Sequence, residues 1–204
     1  SAAPQGTGRP LPGTQPARSA NADMTLDLTT QCNITTNNNL GLIILEDVTS
    51  TFKTNTFFAY ARTEQPPGGA QPFNGFSVEG FPVGNFSAAP ADAIGLRKTT
   101  AAPHYRSNCF VGALNEPVTY QILLFQGETG APIGTIPASP ITLGAYHTVR
   151  YLAIFNAAGL ANQDYSNIRA KFINSASSAM IGFCPLDTPD HASGDFRMAN
   201  TADA

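Results

Sequence analysis

Apolar positions in this chain come in short runs, and where they alternate they do so with a period of two. Met24, Leu26 and Leu28 alternate with Thr25, Asp27 and Thr29, the pattern of a strand with one buried face. Leu42-Ile43-Ile44-Leu45 follows the Asn37-Asn38-Asn39 turn, and Phe57-Phe58-Ala59-Tyr60-Ala61 is closed by Pro66-Pro67-Gly68-Gly69. Both read as strands between turn formers. From Gln71 to Pro90 glycine, proline and phenylalanine predominate, which predicts a long loop or a set of edge strands. Residues 88–103, rich in alanine and holding Pro90 and Pro103, read as a connector.

The second half is more regular. Cys109-Phe110-Val111 opens a strand that stops at Asn115-Glu116-Pro117, and Val118, Tyr120, Ile122 and Leu124 alternate with polar neighbours. Gly127-Glu128-Thr129-Gly130 predicts a turn, and the proline-rich Pro132–Pro140 stretch suits a sheet edge. A strand is predicted over Tyr146–Tyr151, then one or two helical turns within Leu152–Ala158 stopped by Gly159. Ile168, Ala170 and Phe172 mark another strand, Met180–Cys184 the penultimate one and Phe196-Arg197-Met198 the last. That makes about nine to eleven short strands and no long helix, the pattern of an antiparallel β-sandwich, immunoglobulin-like or jelly-roll-like, with one or two packed units.

Composition narrows the classes. Charged residues are 12 % of the 204, against roughly 25 % in ordinary soluble domains. Gly 18 and Pro 16 argue against a helical bundle, and a net charge of −3 offers no basic footprint for nucleic acid. No apolar run approaches the ~18–20 residues that span a bilayer. Residues 1–22 form a Pro/Gly-rich arm whose only charges are Arg9 and Arg18. The division expected is therefore an N-terminal arm at 1–22, a first β region at 23–100 and a second at 101–204, the last two open to being one continuous domain.

The start Ser1-Ala2-Ala3-Pro4 suits a mature secreted protein whose leader has been removed. Of Cys32, Cys109 and Cys184, none forms a C-x-x-C pair and none has a histidine at zinc-ligand spacing. In an oxidising compartment Cys109 with Cys184 is the favoured pair, since Phe110 and Phe183 flank them in strand-like runs of the same half. Three pairings are open on sequence alone.

A resemblance enters with the run Tyr105-Arg106-Ser107-Asn108, Thr119–Phe125 and Gly130-Ala131-Pro132-Ile133-Gly134. It continues in Phe155-Asn156-Ala157-Ala158-Gly159, Asn167-Ile168-Arg169 and Ile181-Gly182-Phe183-Cys184. This order resembles secreted bacterial immunoglobulin-like β-sandwich domains over about residues 105–200. The resemblance implies an accessory, adhesive or structural role and carries no catalytic residue with it.

Motifs for chemistry are sparse. Gly75-Phe76-Ser77-Val78-Glu79-Gly80 has one residue too many for a nucleophile elbow, and no phosphate-binding, dinucleotide or zinc-protease motif occurs. His147 reads as a sheet position and His104 as a connector residue. Asp187, Asp190 and Asp195, around His191, cluster carboxylates that could hold calcium, although their spacing matches no known calcium loop and ordinary turn chemistry is the favoured reading. Glu46, Asp47, Glu64, Glu79, Asp92 and Glu116 fall in loops, with nothing to bring two together as glycoside chemistry requires. Trp is absent, which weakens an indole platform for sugars. Phe73, Phe76, Phe81 and Phe86 read as loop packing or as an apolar strip covered by a partner. Asn33-Ile34-Thr35 and Asn85-Phe86-Ser87 fit the N-glycosylation acceptor pattern.

The function expected is that of a non-enzymatic, secreted or cell-surface protein that self-assembles, a filament or matrix subunit forming homo-oligomers or homopolymers. Residues 1–30 and 71–90 are its expected contacts. The rivals are a β-sandwich module binding a glycan or small ligand, with calcium held by the three aspartates, and a capsid-type jelly roll.

Overall fold

The computed structural model describes residue 43 and residues 60–63, 76–101, 104–175, 177–187 and 197–199. The arm at 1–22, the strand signals at 24–28 and 42–45, and Cys32 lie outside that set, apart from Ile43. The elements are β1 (Tyr60–Thr63), β2 (Phe76–Glu79), a 3-10 turn (Val83–Asn85), β3 (Ala91–Lys98), β4 (Arg106–Ser107) and β5 (Cys109–Ala113). Then follow β6 (Val118–Gln126), β7 (Pro132–Leu143), β8 (Thr148–Tyr151), α1 (Ile154–Ala157), β9 (Tyr165–Asn174), β10 (Met180–Asp187) and β11 (Arg197–Ala199).

The fold is an all-β sandwich. One antiparallel sheet runs β11-β10-β5-β8, with β4 continuing the β5 side of β10; the other runs β3-β9-β6-β7. β1 and β2 pair with each other as a separate ribbon. Along β6 the alternation read from the sequence is the burial pattern: Val118, Tyr120, Ile122 and Leu124 point inward. They meet Val111, Val149, Ile168 and Phe172 in one core.

β3 departs from the expectation of a connector over 88–103. Its composition is poor for a strand, yet it pairs with β9 from Ala91↔Phe172 to Lys98↔Tyr165, and Ala93 and Leu96 are buried. Tertiary pairing overrides the weak local preference. Because β3 precedes residue 100, the sandwich draws strands from both sides of that position. His147 and Tyr146 also leave the strand predicted for them: they occupy the turn before β8, with Tyr146 at φ 59°.

Polar groups inside the sandwich tie the sheets together. The Ser107 hydroxyl, almost wholly buried, accepts from Arg97 N–H (3.0 Å) and donates to Arg97 C=O (3.1 Å), joining β4 to the edge of β3. Lys98, also buried, sends its ammonium to the backbone carbonyls of Ala161 and Gln163. Nearby, two hydrogen bonds from Thr100 hold the Asp164 carboxyl below the usual carboxylate range.

At the centre, Tyr120 of β6 and Tyr151 of β8 share one hydrogen bond between their hydroxyls, 2.6 Å long. Burial pushes both phenols above the usual value near 10. Removing either hydroxyl leaves the other without its partner, so Tyr120→Phe or Tyr151→Phe should each lose about 1–3 kcal/mol. The double Phe variant should recover most of that loss, a comparison that urea melts of the full cycle will measure. The folded-state values are raised, so this contribution is present below pH 10 and lost as pH rises above it.

Candidate interaction edge

Each sheet of a sandwich ends in strands whose outer peptide groups need protection. β7 carries Pro132, Pro137 and Pro140, which cannot donate to a neighbour. β3 is interrupted by register shifts at Ala93/Leu96 and Leu96/Lys98, and Ser107 occupies its Arg97 amide. β11 is flanked by residues outside the described set. β8 has no proline, no glycine and no register shift: Cys109↔Tyr151, Phe110↔Arg150, Val111↔Val149 and Gly112↔Thr148 pair in sequence.

The phase of that ladder decides what β8 presents outward. Cys109 and Cys184 lie opposite each other on β5 and β10 with Cα atoms 4.1 Å apart, the spacing of a pair that exchanges no ladder hydrogen bonds. The peptide groups of Cys109, and with them those of Val111 and Ala113, therefore turn toward β8. The bond from Ala113 N–H to His147 C=O, 3.0 Å, agrees. Val149 and Tyr151 consequently bond to β5, and the N–H and C=O groups of Thr148 and Arg150 face away from it.

The side chains add to this. Val149 and Tyr151 enter the core, while strand alternation puts Thr148, itself buried, and the half-buried Arg150 on the opposite face. Thr148 Oγ1, Arg150 Nε and His147 Nδ1 are shielded from solvent and have no hydrogen-bond partner among the described residues, an arrangement that carries a free-energy penalty. Tyr146 and Leu152, at the two ends of β8, are 40 % and 52 % exposed. Tyr146 (φ 59°) and Ala153 (φ 49°) both hold the left-handed conformation, which costs a non-glycine residue about 1–2 kcal/mol. At Ala153 the buried Asn108 offsets that strain, its Oδ1 accepting the Ala153 N–H at 2.9 Å. Such strain gathers where surroundings over-determine the backbone, commonly at functional sites.

The residues singled out from the sequence are distributed otherwise. Cys109 and Cys184 are joined by a disulfide whose half-cystines are both buried. It links neighbouring strands of one sheet, whereas the bridge of antibody domains spans the two sheets. Asp187 ends β10 opposite Arg106; Asp190, His191 and Asp195 lie outside the described residues, so the three aspartates are not brought together within them. Among the described residues no group of three His, Cys, Asp or Glu side chains is gathered for a metal.

Asp92 sits 3.9 Å from Arg169, Glu116 accepts from the Ser178 hydroxyl, and His104 is exposed before β4. Glu79 ends β2, while Glu46, Asp47, Glu64, Asn33 and Phe73 lie outside the described set. Asn85 is exposed in the 3-10 turn. Phe81 packs on Phe183 (centroids 5.2 Å), which stacks on Phe110 at 4.9 Å. That part of the phenylalanine strip thus lies on the chain's own outer sheet face. Of the expected contact regions, 1–30 lies outside the described residues, and 76–90 holds β2 and the 3-10 turn.

Thr148, Arg150, Tyr146 and Leu152 carried no signal in the sequence beyond that of an ordinary strand. Compared with family models, with curated proteins and with solved structures, the chain matches none. Among the described residues no helix is long and apolar enough to cross a membrane.

Proposed function

We propose that this chain is a structural subunit that works by associating with copies of itself outside the cytoplasm, without catalysis. A strand or arm from one copy extends the sheet of the next. The observation that carries this reading is the β8 edge: outward peptide groups on Thr148 and Arg150, unpartnered shielded polar atoms, and exposed Tyr146 and Leu152 at its ends. Backbone pairing across such an edge supplies affinity, and the alternating side chains supply register. A head-to-tail contact of this kind that does not close on itself builds a filament. The low charge of the whole chain, 12 %, leaves its edges less guarded than usual. The buried Cys109–Cys184 bridge suits an oxidising compartment.

The particle mass of the full chain in solution tests the reading. Sedimentation should find species larger than one chain, growing with concentration, and removal of residues 1–30 should return the protein to a single chain. A single chain at every concentration tested would overturn it.

A further inference from the structure

On that reading, we infer that β8 is the acceptor edge and that its occupant is the segment Met24–Thr29 of a second copy, with Asp27 set against Arg150. The acceptor has two faces of different character. Inward lie Val149 and Tyr151; outward lie Thr148, with its hydroxyl shielded and unpartnered, and Arg150, a guanidinium that makes no hydrogen bond or ion pair among the described residues. A strand fitted beside β8 must therefore offer apolar side chains on one face and, on the other, acceptors including an anion.

Met24, Leu26 and Leu28 alternate with Thr25, Asp27 and Thr29, which meets both demands in one short segment. The apolar face would meet the margin of the core, where Leu160 and Ala158 already lie over Gly134 of β7. Tyr151 of β8 meets Tyr120 of β6 across the sandwich, so β7, one strand further out, has no described strand opposite it beyond β8. Correspondingly, Ile133 and Ile141 of β7 are only partly buried against the core. Met24, Leu26 and Leu28 would cover them. Tyr146 and Leu152, exposed at the ends of β8, would flank the added strand. Arg150 acts as the residue that selects register, because a one-residue slip would turn Asp27 to the apolar face.

A charge-swap experiment on the full chain separates the outcomes. Asp27→Arg and Arg150→Asp should each weaken assembly by at least about tenfold in concentration, since each leaves like charges facing one another. Mixing the two variants should restore assembly. The segment of the Asp27→Arg variant then meets the edge of the Arg150→Asp variant with opposite charge, and the unaltered Asp27 and Arg150 that remain match in the other direction. The double variant should assemble alone. If both single variants assemble like the parent, the β8 assignment is wrong while the subunit reading stands. If the double variant assembles but the mixture does not, or if the double variant recovers only the melting temperature of a single chain, the segment pairs within its own chain and the inference is overturned. A parent that never assembles removes the subunit reading itself.

Discussion

Gly182→Ala should lower the melting temperature by more than about 12 °C. Gly182 lies in β10 on the core side, opposite Val111 of β5. A Cβ built there would stand 2.3, 2.5 and 2.6 Å from three ring carbons of Phe172, a fully buried residue of β9 in the facing sheet. Contacts that short do not occur, so either the ring or the strand must move. Phe172 has little freedom to move, since the core around it holds Ile122, Ile168 and Val111 packed at crystal-like density. Overpacking of this kind costs about 1–3 kcal/mol and sometimes more, and the backbone-adjacent position puts it at the upper end. For a domain of about a hundred residues, the span from β3 to β10, each kcal/mol moves the melting temperature by about 4–8 °C.

A second substitution checks the mechanism. Phe172→Leu alone should destabilise by removing buried ring surface, but in the Gly182→Ala background its effect should be much smaller, because the same atoms that clash are removed. Calorimetry of the four proteins reads the coupling directly. A Gly182→Ala protein that melts within about 2 °C of the parent would mean the sheets do not approach as closely as described.

The second large effect concerns the bridge between β5 and β10. Replacing Cys109 and Cys184 together by alanine should lower stability by roughly 4 kcal/mol on the chain-entropy account, given a sequence separation of 75. The two strands stay neighbours through their own ladder, so the loss comes mainly from the unfolded chain, which regains a long open loop. The folded structure of the variant should therefore keep its far-ultraviolet signature while its urea midpoint falls. Because both half-cystines are buried, the parent should resist a mild reductant until it begins to unfold. A double alanine variant with the parent's midpoint, with and without reductant, would contradict this account.

Much of the architecture could be read along the chain because strand burial is a local, period-two property. Tyr120 and its neighbours in β6, the alternation of Ile168, Ala170 and Phe172 in β9, and the glycine stop after α1 (Gly159 at φ 75°) are visible one residue at a time. β3 was not visible, because alanine, aspartate and glycine in Ala91–Lys98 carry little strand preference and the pairing with β9 supplies what they lack. The turn before β8 was not visible either. Tyr146 holds left-handed backbone without the glycine that would announce it, so the sequence reads as strand where the chain turns.

The candidate edge follows the same logic. Nothing local distinguishes Arg150 of β8 from Arg169 of β9. Yet Arg169 sits over the Phe125 ring and beside Asp92, while Arg150 lies on a strand that, among the described residues, has a neighbour on only one side. Sequence alone determined the class of fold, an all-β chain of short strands with few charges, because alternation and turn residues act over a few positions. Only tertiary structure decided which strand ends its sheet among the described residues, which hydroxyls meet across the core, and which glycine lets two sheets touch. Those outcomes depend on segments distant in sequence arriving side by side, and a linear pattern does not encode which segments those are.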